Sequence, residues 1–208
     1  MNNSTPNKPF DNFIDAYFAT ISESEIGRVF PNERNEEILA VKNEKVRTQK
    51  YFVWKLLERA LKKSLGLDIG NLSFSKTPDG KWVCDKCEFS LTHSDEIVAV
   101  AVSNLPVGID AEKVRSVSPT TIKKVLSGDE YAYYESLSET ERQEFFIKKW
   151  TQKESAFKKG NSPVFAFKND TDEKDIFFTQ KIEQNGNSYY LTIAHENNAC
   201  VRIERIDF

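Results

Sequence analysis

An uninterrupted apolar run over residues 97–102, with the sequence IVAVAV, restricts the fold more than any other feature of the chain. A strand exposed on one face alternates apolar and polar residues, whereas a strand buried on both faces reads as a continuous apolar run. Pro106 then interrupts the pattern before a second strand, predicted over residues 107–111. The sequence therefore predicts a sheet in which residues 97–102 form a central strand.

Helices are predicted before and after these strands. From Glu44 onward apolar residues recur at helical spacing, and this amphipathic helix is expected to end near Gly66. N-cap and capping-box signals indicate three further helix starts, at Ser118, Ser127 and Ser138. The last of these helices is expected to run to Gly160.

Strands make up the rest of the predicted fold. Aromatic residues between Phe10 and Phe18 predict a short strand across the core. Residues 72–75 and 81–84 predict a hairpin around a Pro-Asp-Gly turn, and residues 188–194 and 200–206 predict a terminal hairpin. Both halves place helices before antiparallel strands, so the order of the elements suggests an internal duplication.

Composition limits the classes of function. The 208 residues are 39% hydrophobic and include 15 Phe, which excludes a disordered chain. With 29 basic and 32 acidic residues the net charge is −3, so we expect neither a nucleic-acid nor a membrane partner. Three cysteines are too few for a disulfide scaffold, and neither a signal-peptide core nor a membrane-spanning apolar run is present. A cytoplasmic location is expected.

Two acidic residues on the second strand could hold a metal ion. Asp110 and Glu112 are two apart, so on a strand their side chains point to the same face, while Ile109 and Ala111 pack inward. Paired carboxylate oxygens suit Mg²⁺. Two solvated acids at an exposed strand edge explain the same pattern, and the spacing alone favours that explanation.

The last predicted helix carries charges next to its apolar stripe. Lys153, Glu154 and Lys158 fall at helical spacing with Trp150 and Phe157. Because unpaired burial of a charge is costly, this face is either partly solvated or built to meet opposite charge, such as a metal and a phosphate. Surface ion pairs on a half-buried helix are the alternative.

Basic and hydroxyl-bearing residues of the first half could bind an anion. His93 lies between the hydroxyls of Thr92 and Ser94, in a predicted turn. A turn containing Gly80 and Lys81 could offer a backbone N–H and an ammonium to a phosphate. Four more basic residues surround the start of the long helix: Arg34, Lys42, Lys45 and Arg47. For each single residue a structural or solvated role is the favoured explanation.

The order and spacing of these motifs resemble those of a known family. G-I-D-A-E, then about forty residues, then W-x-x-K-E-S-x-x-K, with T-H-S about fifteen residues before the first motif, resembles the 4'-phosphopantetheinyl transferases of the surfactin-synthetase-activating type. The resemblance covers roughly residues 34–160. It implies an α+β fold of two pseudo-symmetric lobes, each with helices packed on an antiparallel sheet. We expect the N-terminal lobe over residues 1–105 and the C-terminal lobe over residues 106–208.

The resemblance also implies a reaction. Members of the family transfer the phosphopantetheine arm of coenzyme A to a serine of an apo acyl or peptidyl carrier protein and release 3',5'-ADP. They use Mg²⁺, and Mn²⁺ is a second candidate metal. By analogy, the protein is expected to be a monomer.

The family motifs assign roles to individual residues. Asp110, Glu112 and Glu154 would hold the metal, and Glu154 would also accept the serine proton. Lys158 would stabilise the phosphate oxygens, with Lys153 as a helper. The residues that would contact coenzyme A are Arg34, Arg47, Gly80, Lys81, Thr92 and His93.

The chain departs from the family pattern at three positions. Thr92 replaces the usual serine, Ser90 stands where asparagine is common, and Trp82 replaces the proline after Lys81. Two other functions use the same residues. One is a Mg²⁺-dependent phosphohydrolase acting on a nucleotide or coenzyme A, and the other is a non-catalytic module that binds coenzyme A or a carrier protein.

Overall fold

The structure, a computed structural model, describes residues 12–22, 25–78, 80–160, 175–196 and 199–208. Its helices are α1 (Asn32–Leu39), α2 (Glu44–Leu65), α3 (Pro119–Val125), α4 (Gly128–Ser136) and α5 (Glu139–Lys159). Its strands are β1 (Phe13–Thr20), β2 (Phe74–Lys76), β3 (Trp82–Cys84), β4 (Glu88–Ser94), β5 (Ile97–Ser103), β6 (Gly108–Lys113), β7 (Ile176–Gln184), β8 (Asn187–His195) and β9 (Cys200–Arg205). Within these ranges no helix combines the length and apolar character needed to cross a membrane.

The apolar run forms the central strand that its sequence predicts. β5 pairs with β4 on one side and β1 on the other, in a four-stranded sheet of order β4-β5-β1-β9. All seven residues of β5 are buried. Val98, Val100 and Val102 pack in the core that contains α2, whereas Ala99 and Ala101 pack in a second core shared with β6 and β8. The first sheet therefore has a helix on one face and strands of the second half on the other.

The two halves of the chain repeat one topology. β1 is followed by helices and then by β4 and β5, and the three strands lie in the order β4-β5-β1. β6 is followed by helices and then by β7 and β8, which lie in the corresponding order β7-β8-β6. The predicted α+β class is confirmed, and the duplication suggested by element order is present in the strand pairing.

Local signals place the helix ends correctly. α2 begins after Asn43, whose side chain accepts from the N–H of Val46, and it ends at Gly66 in the left-handed conformation with φ 69°. α3 begins after Ser118, and α4 and α5 both begin with the predicted capping boxes. The predicted hairpin is also present, since β2 and β3 pair in antiparallel register.

The predicted terminal hairpin is wrong. β8 pairs with β6 and β7, whereas β9 crosses to the first sheet and lies parallel to β1. Arg202 of β9 is in register with the buried Asp15 of β1, and its Nε donates to Asp15 Oδ1 over 2.7 Å. The first sheet is consequently mixed rather than antiparallel. β9 joins the sheet of the first half although the predicted second lobe includes it, and the division after residue 105 stays a prediction.

Two further expectations need correction. The T-H-S motif lies inside β4 rather than in a turn, and the turn follows at Asp95, which has φ 52°. β7, which the sequence analysis did not predict, pairs with β8 through a turn at Asn185 and Gly186, both with positive φ. Asn-Gly is a strong hairpin signal, so this hairpin was readable from the sequence. Phe10 lies outside the described residues.

Gly108 at the start of β6 allows α5 to approach the second sheet closely. A Cβ at this position would lie 1.8 Å from the backbone oxygen of Ser155 and 2.7 Å from the backbone nitrogen of Lys159. Both atoms belong to the α5 backbone, so neither can move as a flexible side chain could. The glycine therefore sets how near Glu154 and Lys158 come to Asp110.

Replacement of Gly108 by alanine tests this close approach. We expect Gly108→Ala to lower the free energy of unfolding by about 1–3 kcal/mol, since the added methyl overpacks a helix–sheet contact. Gly128→Ala is the matched control, because a Cβ at Gly128 meets nothing within 4 Å. Urea denaturation followed by circular dichroism measures both variants. Equal stability of Gly108→Ala and the wild type would contradict the packing argument.

Candidate active site

Asp110 is the centre of the candidate site. Asp110 is 4% exposed, and its Oδ1 accepts from Lys158 Nζ over 2.7 Å and from the Thr92 hydroxyl over 3.0 Å. The other oxygen, Oδ2, is buried and has no hydrogen-bond partner within the described part of the chain. A buried charged oxygen without a partner is costly, so Oδ2 is suited to a positively charged ligand.

Two more carboxylates lie close enough to Asp110 to perturb each other. Burial raises the pKa of Glu112, and the charge of Asp110 raises it further, while a 3.0 Å hydrogen bond from the Ser94 hydroxyl lowers it. Burial also raises the pKa of Glu154, again with a contribution from Asp110. All three carboxylates line one cavity of about 270 Å³ together with Lys158. The structure thus brings together the three predicted metal ligands.

This carboxylate cavity fits a divalent cation only as part of a larger ligand set. Across the described ranges no three His, Cys, Asp or Glu side chains already form a group that could hold a metal ion. Mg²⁺, however, is usually bound by one or two carboxylates and completes its octahedral shell with water and substrate phosphate oxygens. The unpartnered Asp110 Oδ2 and the two raised pKa values fit a cation of this kind.

A larger cavity of about 580 Å³ adjoins the carboxylates, since Leu91, His93 and Lys158 line both. The apolar residues that line the larger cavity are Val53, Trp82, Phe89, Leu91 and Phe157. Its basic lining residues are Arg34, Lys50, Lys81, His93 and Lys158. A ligand with an apolar or aromatic part and several negative charges matches this combination.

His93 lies among the basic lining residues. Burial, together with the positive charges of Lys158, Lys50 and Arg34, lowers the pKa of His93 to about 4. The imidazole is therefore neutral at pH 7 and lies among cations. An anion bound among these side chains would offset their mutual repulsion.

Arg34 is held rigidly at the edge of this cavity. Its side chain is 9% exposed, its guanidinium lies 4.8 Å from the centre of the Trp54 ring, and NH1 donates to Glu37 over 3.3 Å. Its Nε is buried without a partner in the described residues. Glu37 also accepts from the Trp82 indole over 3.2 Å. The tryptophan that replaces the family's proline is thus tied to the same carboxylate as Arg34.

The turn at Gly80 and Lys81 reaches the cavity in a different way from that predicted. The N–H of Gly80 donates to the backbone oxygen of Thr77 and that of Lys81 to the Thr77 hydroxyl, so neither is free for a phosphate. The Lys81 ammonium donates to the backbone oxygen of Lys158 over 2.8 Å. Both residues line the cavity, but of the two groups predicted to meet a phosphate only the Lys81 ammonium can do so.

Two predicted residues lie away from both cavities. Lys153 Nζ donates to the backbone oxygen of Val125 and to Glu130 Oε2, and its side chain is buried between α4 and α5. The prediction that Lys153 shares a face with Lys158 is therefore wrong, because the Lys153 ammonium pairs with Glu130 of α4. Arg47 lies in the first turn of α2, where NH1 donates to the backbone oxygen of Val41 over 3.5 Å, and it does not line the large cavity.

Lys50 is a basic residue of the large cavity that the sequence analysis did not identify. It follows Arg47 by three residues, so the two side chains lie on neighbouring positions of one helix face. The i, i+3 spacing was the available signal. It could not show which of the two charged groups, that of Arg47 or that of Lys50, lies near His93.

Comparisons with known proteins agree with this geometry. Residues 106–203, which include β6 and α5, match the 4'-phosphopantetheinyl transferase superfamily. This part of the chain is similar to members of that superfamily. The resemblance read from the motifs is thereby confirmed.

Three curated relatives carry the same name. A 4'-phosphopantetheinyl transferase of Aneurinibacillus migulanus is 33% identical over 50% of this chain and 44% of its own length. One of Bacillus subtilis is 29% identical over 50% of this chain and 47% of its own length, and one of Bacillus pumilus is 24% identical over 73% and 64%. The chain thus matches about half to two thirds of the length of these relatives.

The surroundings of His93 predict an unusual titration. We expect its ring protons, followed by NMR and assigned with His93→Gln, to titrate near pH 4. Lys50→Met removes a nearby positive charge and should raise this midpoint, whereas Lys62→Met, on an exposed position of the same helix, should leave it unchanged. Between pH 6.5 and 4 His93 binds a proton in the unfolded state but not in the folded state. The free energy of unfolding should therefore decrease as the pH falls through this range. A wild-type midpoint near 6.5 would contradict the basic environment.

Proposed function

We propose that the protein is a 4'-phosphopantetheinyl transferase. It moves the phosphopantetheine arm of coenzyme A to a serine hydroxyl of an apo acyl or peptidyl carrier protein and releases 3',5'-ADP. The observation that carries the proposal is the arrangement of two adjoining cavities, a basic one and one that contains the unpartnered Asp110 Oδ2. Matched relatives of the same name support it.

Coenzyme A fits the larger cavity by its chemistry. Its nucleotide carries three phosphates, and the basic residues that line the cavity include Arg34, Lys50, Lys81 and Lys158. The apolar lining residues, such as Trp82 and Phe157, suit the adenine ring and the pantetheine chain. Lys158 lines both cavities, which supports a pyrophosphate bound where the two meet.

The chemical step needs one base and a stabilised phosphate. Glu154 accepts the proton of the carrier serine. The serine oxygen forms a bond to the β-phosphorus, and the bond from that phosphorus to the bridging oxygen breaks, so that 3',5'-ADP leaves. Lys158 stabilises the negative charge on the phosphate oxygens.

Asp110, Glu112 and Glu154 are proposed to hold Mg²⁺, with Mn²⁺ as a substitute. When bound, the ion neutralises charge on the pyrophosphate and orients it. The role of the chain is to keep three carboxylates beside the pyrophosphate in a buried site. Lys158 limits their repulsion through its ion pair with Asp110.

The proposal also covers assembly and location. Residues of both halves of one chain line the large cavity, from Arg34 to Lys158, which supports a monomeric enzyme. Cys84, Cys87 and Cys200 are free thiols, which supports a reducing compartment such as the cytoplasm.

Intact-protein mass spectrometry of apo carrier proteins incubated with the enzyme, coenzyme A and Mg²⁺ tests the proposal. We expect each accepted carrier to gain one phosphopantetheine group and to lose this gain when EDTA is present. Cleavage of coenzyme A without any gain on a carrier would instead support a phosphohydrolase. Intact coenzyme A with measurable binding would support a non-catalytic module.

The Glu154→Gln variant tests the assigned base in the same assay. We expect the transfer rate to fall at least about 100-fold, the usual contribution of a general base, while the fold is retained. Glu139→Gln is the matched control, since Glu139 is an exposed glutamate at the first position of the same helix. A wild-type rate for Glu154→Gln would exclude Glu154 from the reaction.

A further inference from the structure

Three hydroxyls on one face of β4 accept hydrogen bonds from the edge of β6 that does not pair with β8. Ser90, Thr92 and Ser94 alternate along β4, and their oxygens accept from the backbone N–H groups of Ile109, Ala111 and Lys113 over 3.1, 3.2 and 3.0 Å. On its other edge β6 pairs with β8. We call these three residues the hydroxyl ladder. It satisfies backbone donors that a neighbouring strand would otherwise have to satisfy.

Two members of the hydroxyl ladder make a second hydrogen bond. The Thr92 hydroxyl donates to Asp110 Oδ1 over 3.0 Å, and the Ser94 hydroxyl donates to Glu112 Oε2 over 3.0 Å. A hydroxyl has one proton, and an N–H that it accepts occupies a lone pair and directs that proton elsewhere. The backbone of β6 therefore orients each hydroxyl toward the carboxylate of the preceding residue on the same strand.

The consequence is clearest at Asp110. The Thr92 hydroxyl and the Lys158 ammonium both donate to Oδ1, which leaves Oδ2 as the oxygen without a partner. Thr92 is 5% exposed and Ser94 is 8% exposed, so water has little access to these contacts. The buried hydroxyls thus determine which carboxylate oxygen is available and in which direction it points.

We infer that Thr92 and Ser94 are positioning residues that hold Asp110 and Glu112 in the orientation that binds the metal. This inference rests on the metal role of the carboxylates in the proposed function. It gives the hydroxyl of Thr92 a role at the metal, whereas the family resemblance implies a contact with coenzyme A. Hydrogen-bond partners of ligating carboxylates commonly change metal affinity by about 10–100-fold when they are removed.

The third member of the hydroxyl ladder provides the control. Ser90 accepts the N–H of Ile109 in the same way, yet Asp110 and Glu112 accept from Thr92 and Ser94, not from Ser90. Ser90→Ala therefore removes one contact between β4 and β6 and leaves both carboxylates oriented. Comparison with Ser90→Ala separates docking of the two strands from positioning of the ligands.

The experiment measures the dissociation constant of Mn²⁺ by electron paramagnetic resonance of the free ion, with coenzyme A present at saturation. We expect Thr92→Val and Ser94→Ala to raise this constant about tenfold or more. Ser90→Ala should leave it within about twofold of the wild type, because Ser90 contacts neither Asp110 nor Glu112 and coenzyme A is at saturation. Thr92→Ser, which keeps the hydroxyl, should restore the wild-type value. Thermal melting of each variant shows whether it is folded, and if Thr92→Val is not, Ser94→Ala and Thr92→Ser still test the inference.

Three outcomes overturn the inference. Equal loss of Mn²⁺ affinity in all three deletion variants would mean that the hydroxyl ladder only joins the strands. Unchanged affinity in Thr92→Val and Ser94→Ala, while the wild type transfers phosphopantetheine, would refute positioning and leave the proposed function intact. Absence of Mn²⁺ binding by the wild type would remove the metal assignment itself, and the carrier assay would then show whether transfer occurs without it.

Discussion

The structure depends on how strand β6 contacts two elements outside its own sheet, strand β4 and helix α5. On one side its N–H groups donate to the hydroxyls of Ser90, Thr92 and Ser94 of β4. On the other, Gly108 lets the backbone of α5 approach β6 more closely than any residue with a Cβ would allow. Asp110 lies between these contacts. Its Oδ1 accepts hydrogen bonds from Thr92, in the first half of the chain, and from Lys158 of α5. The two halves and the candidate site are therefore joined by the same short segment.

Electrostatics explains why this junction is suited to a charged substrate. Burial, together with repulsion from Asp110, raises the pKa values of the half-buried Glu112 and Glu154. In the adjoining cavity burial and the basic side chains around His93 lower its pKa to about 4. Excess negative charge in one cavity and excess positive charge in the next are each costly alone. A metal–pyrophosphate pair spanning the two cavities would relieve both.

The sequence predicts those parts of the fold that local chemistry controls. Helix ends follow from Asn43, Gly66 and the capping boxes, because their hydrogen bonds involve neighbours in the chain. The carboxylates Asp110, Glu112 and Glu154 were predicted as a set from the family resemblance, and they line one cavity in the structure. The turn at residues 185–186 carried a readable signal that the sequence analysis did not use.

Other features depend on contacts between distant parts of the chain. β9 joins β1 through Arg202 and Asp15, which are 187 residues apart, so no local pattern distinguishes this pairing from a hairpin. Lys153 and Lys158 look alike on a helical wheel, and only the packing of α4 shows that Lys153 is bound to Glu130. The hydroxyl ladder is visible in the sequence as alternate Ser and Thr residues. Its role cannot be read from that pattern, because the pattern does not show that β6 lies beside β4.

Anomalous scattering from crystals grown with Mn²⁺ and coenzyme A is the most direct test that Asp110 is the centre of a cation site. The account predicts a manganese peak beside Asp110 Oδ2, with Glu112 or Glu154 and the pyrophosphate of coenzyme A as further ligands, at the roughly 2.0–2.2 Å typical of such oxygen ligands. Coenzyme A bound in the basic cavity with no manganese at Asp110 would contradict it.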